Sequence, residues 1–372
     1  MKFALFYELP VNDPSDPNAE YQAYQDTLEQ AVFGEQMGFH AFWTVEHHFL
    51  TRFSHCSNPE VLYGAIAART TKMRIGYGVR LMPKPYNHPI RSAESAAVLD
   101  LISGGRVDFG TGRSATRAEL EGFGIDPEET RDMWLEAIGH VVGAWTQAEY
   151  GMNGKYWQSP PRPVIPKPFQ KPHPPLFGAT SSLPSHQIVG ELGMGLCSFT
   201  VGLPPEDLAQ RIEAYRKAIA TCTKPIGAYV NNTAATFTLV NCAPTKEESY
   251  AVARESFEWY PKYSGRLIAS VAAWQEEQKV SGGTYAYTHE ILNFDRQGLI
   301  DQFSFEYLRD SGSAIVGDPD QVVEACKRYQ ATGCDMLLCL VNPLNIPHAK
   351  VMQTIELMGK YVIPEFQRGG AA

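Results

Sequence analysis

Eight short runs rich in β-branched and aromatic residues recur along the chain, separated by longer amphipathic stretches. A parallel neighbour can be reached only by a long crossover, so this alternation points to a parallel sheet clothed in helices. The runs are residues 2–7, 41–45, 73–79, 106–110, 176–179, 196–200, 233–240 and 335–340. Helical periodicity covers residues 21–37, 59–69, 89–102, 128–145, 205–220, 247–259, 319–330 and 346–360, with Asn58 and Asp318 in capping positions. Eight strands is the count of a (β/α)8 barrel, and a doubly wound sheet is the other arrangement such alternation allows. At 372 residues the chain could form one α/β barrel or two smaller domains. The expectation is a single (β/α)8 TIM barrel over residues 1–366 and a disordered tail at 367–372.

Two stretches interrupt the alternation. Residues 159–175, SPPRPVIPKPFQKPHPP, are so rich in proline that neither a helix nor a central strand can form there. They read as a linker between domains or as a connector across a barrel face. Residues 261–311 carry aromatics and amphipathic pieces but no clear strand, and form an excursion between the seventh and eighth strands. An active-site lid is the preferred reading, an ordinary surface insertion the plain one.

The net charge of -9 and pI near 5.6 argue against a nucleic-acid surface, which needs clustered Lys and Arg. A single local Arg could still hold a small anion. The opening MKFALFYELP is too soon interrupted by acid and proline for a signal peptide, and no segment is apolar enough to span a bilayer, so a soluble cytoplasmic protein is expected. None of the seven cysteines falls in CxxC spacing, so neither a disulfide framework nor a thiolate zinc site is expected.

Three segments could carry chemistry. Thr44 to Phe49 reads TVEHHF at the end of the second strand, where barrel enzymes place catalytic groups. His47 and His48, adjacent on an extended segment, point to opposite sides, which disfavours a shared metal. One would face the mouth, where its near-neutral pKa suits proton transfer; a structural histidine is the alternative. In the second segment, Gly110, Gly112 and Ala115 superficially match the dinucleotide pattern GxGxxA. No long helix follows, and the unit is not the first of its domain, so a nicotinamide site is not credible. Glycines followed by Arg113 suit close approach of a ring system whose phosphate meets a guanidinium, or else a turn with a solvated arginine. The third segment, Leu176 to Ser182, ends a strand in small hydroxyl residues that could form an anion site or a plain helix cap.

Taken in order, these motifs resemble the bacterial luciferase-like flavin monooxygenases. The resemblance rests on MKFALF, GFHAFWTVEHHF (38–49), NPEV (58–61), HPIRSAESAAVLDLISGGRVDFGTGR (88–113), FGID (123–126), KPHPPLFGATSS (171–182) and GDPDQVVEACKRYQATGCD (317–335), which together cover nearly the whole chain. It implies a barrel, usually dimeric, with flavin at the carboxyl ends of the strands and a mobile insertion near the seventh strand. It matches His47 to the catalytic histidine, Arg113 to an arginine near the flavin phosphate and Ser181 to a phosphate-contacting serine. Thr180 replaces an acidic residue. Gly78 and Val79 fall at a non-proline cis peptide behind the flavin ring, and Gly112 stands where luciferase has a reactive cysteine, which excludes a mechanism needing that thiol. Ala179 and Ser182 complete the expected cofactor contacts.

The resemblance implies a reaction in which reduced FMN, supplied by a separate flavin reductase, meets dioxygen to give a C4a-hydroperoxide. One oxygen then passes to a small apolar substrate such as an aldehyde, ketone or terpene. Trp43, His48, Phe49, Tyr77 and Phe199 are read as the substrate pocket, with Glu46 or backbone fixing the tautomer of His47. A homodimer through residues 59–69 and 89–102 is expected from their small side chains. An F420-dependent hydride-transfer enzyme of the same fold is the nearest rival, disfavoured by the EHHF motif. A non-catalytic flavin-binding partner subunit is another, disfavoured by His47.

Overall fold

Ala41–Thr44, Val107–Gly112 and Ala234–Cys242 are buried at every position, the mark of strands covered on both faces. The computed structural model describes residues 1–200, 202–280 and 283–367. In it β1 (Lys2–Tyr7), β2 (Ala41–Thr44), β3 (Arg74–Tyr77), β4 (Val107–Gly112), β5 (Leu176–Thr180), β6 (Gly195–Ser198), β7 (Ala234–Cys242) and β8 (Met336–Leu340) pair in parallel in chain order. Pairing of Lys2 with Met336 through Phe6 with Leu340 brings β8 back to β1 and closes an eight-stranded barrel.

The outer layer is built by α1 (Ala19–Gln36), α2 (Pro59–Arg69), α3 (Pro89–Ser103), α4 (Arg117–Gly122), α5 (Thr130–Thr146), α6 (Leu183–Glu191), α7 (Pro205–Ala220), α8 (Lys246–Glu277), α9 (Ala286–Arg296), α10 (Phe305–Ser311), α11 (Pro319–Ala331) and α12 (His348–Leu357). Asp318 caps α11 with a full capping box to Gln321. Asn58, expected as the cap of α2, makes no side-chain cap bond; Pro59 at the first turn serves the start instead. Among the described residues no helix is long and apolar enough to cross a membrane.

The glycines of β3 and β4 lie where neighbours leave no room for a Cβ: Gly76 against Trp43, Gly110 against the Tyr77 carbonyl and Gly112 against Val79. Trp43 points into the barrel interior, edge-on to Phe177 at 5.2 Å, and a Cβ on Gly76 would collide with its indole. β4 extends to Gly112, two residues beyond the expected end. β3 stops at Tyr77; the Gly78–Val79 peptide is cis, and a short strand, Arg80–Leu81, then rejoins β4.

The proline-rich stretch leads from a small antiparallel ribbon, Tyr150–Asn153 with Gln158–Arg162, directly into β5, so it connects elements of the same barrel. Further on, α8 runs through Pro261, where the sequence suggested a stop. Pro261 is buried there, and the preceding Tyr260 stacks on Phe53 at 5.4 Å, so tertiary packing outweighs the lost backbone bond. The short strand Ala314–Gly317, paired to the end of β7, was not anticipated. The expected tail lies, from residue 368 onward, outside the described residues.

Candidate active site

The carboxyl ends of β1 to β6 open on a cavity of about 520 Å3, within the usual range of roughly 300–1,000 Å3 for small-molecule sites. Its two ends differ in chemistry.

At one end two guanidiniums converge. Arg113 donates to Thr130 Oγ1 at 3.0 Å and to the Thr284 carbonyl at 3.2 Å, and lies over the Tyr285 ring at 4.5 Å. Arg131 reaches the same carbonyl at 3.5 Å; burial and the positive charge of Arg113 both lower its pKa. Among the described residues neither arginine makes an ion pair. Facing them, β5 runs into Thr180, Ser181 and Ser182 at the start of α6, where Ser182 Oγ accepts from the Ser185 amide and Thr180 Oγ1 is buried with no partner among the described residues. Two guanidiniums without an ion pair among the described residues, beside a hydroxyl turn, suit an anion.

At the other end His47 leaves β2 between two carboxyls. Its Nδ1 meets Glu119 Oε1 at 2.9 Å, and its Nε2 stands 3.7 Å from Glu8 Oε2. Glu119 also accepts from the His48 amide, Ser114 Oγ and Thr116 Oγ1. Burial alone would pull the His47 pKa down, but the charge and hydrogen bond of Glu119, then Glu8 and Glu46, raise it to about 9. Glu119, despite a burial that raises its pKa, is held below the ordinary carboxylate value by His47 and the two hydroxyls. The pair is therefore imidazolium and carboxylate near neutral pH. Phe6, Phe53, Phe199 and Phe237 wall this end.

His47, Gly78, Val79, Gly112, Arg113, Ala179, Thr180, Ser181, Ser182 and Phe199 all line this cavity. Four residues read as substrate pocket do not. Trp43 is fully buried below it in the barrel interior. Tyr77 faces outward, packed on Tyr63 of α2 and on Phe109. Phe49 is 60% exposed. His48, turned away from His47 as expected, packs edge-on to Phe123 at 4.9 Å and beside Tyr86. Glu46 does not hold the ring of His47: its oxygens accept from the Leu81 amide and Asn87 Nδ2. That place belongs to Glu119.

Sequence reasoning also missed Glu8, Arg131, Tyr260 and Tyr285. One signal was present: Thr116-x-x-Glu119 is a capping pattern, and Thr116 does accept from the Glu119 amide at 3.3 Å. The carboxylate, though, is turned to His47.

A family model described as luciferase-like monooxygenase matches residues 1–336. The chain belongs to the luciferase-like monooxygenases. Within that family it is 27% identical over 372 residues to the oxygenase component of the flavin-dependent trigonelline monooxygenase of Acinetobacter baylyi, covering 98% of this chain and 96% of that one. Its fold matches the oxygenating constituent of 3,6-diketocamphane monooxygenase from Pseudomonas putida, solved with FMN, at TM-score 0.77 and 22% identity over 98% of this chain and 99% of that one. An F420-dependent secondary alcohol dehydrogenase shares the fold at TM-score 0.70 and 18% identity, covering 98% of both chains. The same barrel fold thus occurs with FMN in one solved structure and with F420 in another.

Proposed function

We propose that this protein uses reduced FMN and dioxygen to oxygenate a small, mostly apolar organic substrate. One observation carries the reading: a single cavity has at one end two guanidiniums that make no ion pair among the described residues, and at the other a histidine held between carboxyls. The residues fit a flavin mononucleotide. Arg113, Arg131 and the Thr180–Ser182 turn supply charge and donors for a terminal phosphate. Gly78, Val79, Gly112 and Ala179 form a small-residue wall between the two ends, against which a flat ring system can lie.

Reduced FMN, when bound, supplies the electrons that activate dioxygen. The protein's own part is positional and protic. His47, charged through Glu119, holds a proton at Nε2 facing the cavity and can deliver it to a developing oxygen anion. Phe6, Phe53, Phe199 and Phe237 keep water from that end. Gly283, Thr284 and Tyr285, in the long insertion, close over the arginines as a lid. The trigonelline monooxygenase relative is named as an oxygenase component, which supports supply of the reduced flavin by a separate reductase.

Anaerobic titration tests the assignment. Reduced FMN should bind well ahead of riboflavin and of reduced F420; tighter binding of F420 with turnover independent of oxygen would establish hydride transfer instead.

A further inference from the structure

Arg113 belongs to the anion end of the cavity, and the next residue, Ser114, reaches the acid at the other end. Ser114 Oγ donates to Glu119 Oε2 at 2.8 Å, on the carboxylate whose other oxygen meets His47 Nδ1 at 2.9 Å. The Ser114 carbonyl accepts from the Tyr285 hydroxyl at 2.9 Å. That hydroxyl lies 3.2 Å from Thr130 Oγ1, the atom to which Arg113 donates, and the Tyr285 ring lies against the same guanidinium. One residue thus has its main chain tied to the arginine end and its side chain tied to the carboxylate that charges the histidine.

Serine is a costly choice at this position. Its φ of 71° is left-handed, a conformation that glycine adopts freely and that a Cβ resists. A serine where glycine would be unstrained points to a use for the hydroxyl, and strain of this kind gathers at functional sites. Thr116, the other hydroxyl on Glu119 Oε2, at 2.7 Å, is accounted for by capping α4, and among the described residues no bond ties it to Arg113 or Tyr285. The titratable groups facing the His47–Glu119 pair are Glu8 after β1, Glu46 beside His47, Tyr86 before α3, Tyr285, and Tyr260 of α8, whose hydroxyl donates to Glu8 Oε1 at 2.7 Å. None of them donates to Glu119 among the described residues, so Ser114 is the link between that carboxylate and the arginine end.

We propose that Ser114 is a positioning residue that couples the two ends of the cavity: an anion that fixes Arg113 and Tyr285 also fixes the Ser114 turn, whose hydroxyl then holds Glu119 on His47. The histidine is therefore held in its charged form more firmly when the cofactor's phosphate is seated than when the site is empty. This goes beyond the reading above and rests on it for the identity of the anion. Coupling between two sites is reciprocal, so a charged His47 also strengthens the hold on the anion. It is separable from the direct attraction of anion and imidazolium, which needs no serine.

The test is a nuclear magnetic resonance titration of the His47 imidazole in flavin-free protein, its signal assigned by its loss in His47→Gln. Sulfate is the probe, because its charge is constant over the range titrated. Sulfate should raise the His47 midpoint by about one pH unit, the usual size of coupling between two sites. Ser114→Ala, which keeps the Cβ and loses the hydroxyl, should lower the sulfate-free midpoint and remove most of the response. Ser114→Gly, unstrained at this φ, should do the same and gives the comparison if Ser114→Ala does not fold. Thr116→Ala should lower the midpoint and leave the response intact. A response undiminished in both Ser114 variants, or lost equally in Thr116→Ala, would overturn the coupling, and an unchanged sulfate-free midpoint in both Ser114 variants would remove the positioning role. Calorimetry on the same samples keeps the two readings apart. Sulfate that binds without moving His47 overturns the coupling and leaves the cofactor reading standing, whereas failure of both sulfate and oxidised FMN to bind removes the cofactor reading and the coupling with it.

Discussion

His47 presents Nδ1 to Glu119 Oε1 at 2.9 Å while Glu8 Oε2 stands 3.7 Å from its Nε2, so one imidazole is held between two buried carboxyls. A ring fixed this way has one nitrogen committed to the protein and the other free to serve the cavity. His47→Ala should lower turnover by roughly 100-fold or more, the usual loss for a general acid or base, while FMN affinity changes little. Glu119→Gln should lower it less and shift the pH profile, because it acts through His47. His48→Ala, against Phe123 and Tyr86, should cost stability rather than rate. Steady-state kinetics beside flavin titration separates these outcomes; near-normal turnover in His47→Ala would remove the histidine from the chemistry.

The same triad makes stability depend on pH. The folded His47 pKa of about 9 lies above its ordinary value of 6.5, so its charged form stabilises the fold. That contribution is complete below about 6.5 and is lost as pH rises through about 9. Glu119, shifted down, contributes above the ordinary carboxylate range and is lost only in acid. Tm measured for wild type and His47→Gln from about pH 6 to about pH 10 should therefore converge at the alkaline end. A constant difference would contradict the ion pair.

Arg113→Ala should weaken reduced FMN by about 1.5–3 kcal/mol, the range for a hydrogen bond to a charged group, and leave riboflavin nearly indifferent. Arg131 shares the Thr284 carbonyl with Arg113, so the double variant should lose more than either single one. Equal losses for FMN and riboflavin would take both arginines away from the phosphate.

The barrel was legible because strand and helix periodicity repeat eight times, and each barrel strand fell within two residues of its expected bounds; the larger departures, at the β3 end and in the helix through Pro261, had local causes. At β3 the cause was the break after Tyr77; at Pro261 it was packing around Tyr260. The anion end was legible too, since Arg113 and the Thr180–Ser182 turn lie in contiguous motifs. What sequence could not show is which side chains meet across the mouth. Glu119 is 72 positions from His47 and Tyr260 is 252 from Glu8, separations no local pattern reports. Trp43 and Tyr77 were misplaced for a related reason: alternation along a strand says that faces alternate, not which face is the interior or how deep the pocket floor lies.

Tyr285 ties the insertion to the anion end, donating to the Ser114 carbonyl at 2.9 Å and lying over Arg113. If this segment is a lid, Tyr285→Ala should raise the fraction of reduced FMN oxidised without product, measured as peroxide released per flavin. Unchanged coupling would make the segment an ordinary surface insertion.

Val61 on α2 and Val98, Leu101 and Ile102 on α3 are exposed apolar side chains on two neighbouring helices, beside the small Gly64 and Ala65. We propose a homodimer through this face. Light scattering at micromolar concentration should give twice the chain mass, and Val61→Glu with Ile102→Glu should give the monomer. A monomeric wild type would refute it.

The proposed oxygenation beside His47 leaves an isotopic signature in the product. Turnover with reduced FMN under oxygen-18 gas, across a panel of aldehydes, ketones and terpenes, should place one labelled atom in an organic product and none when dioxygen is withheld. A product formed without label, or formed equally well without oxygen, would contradict the account.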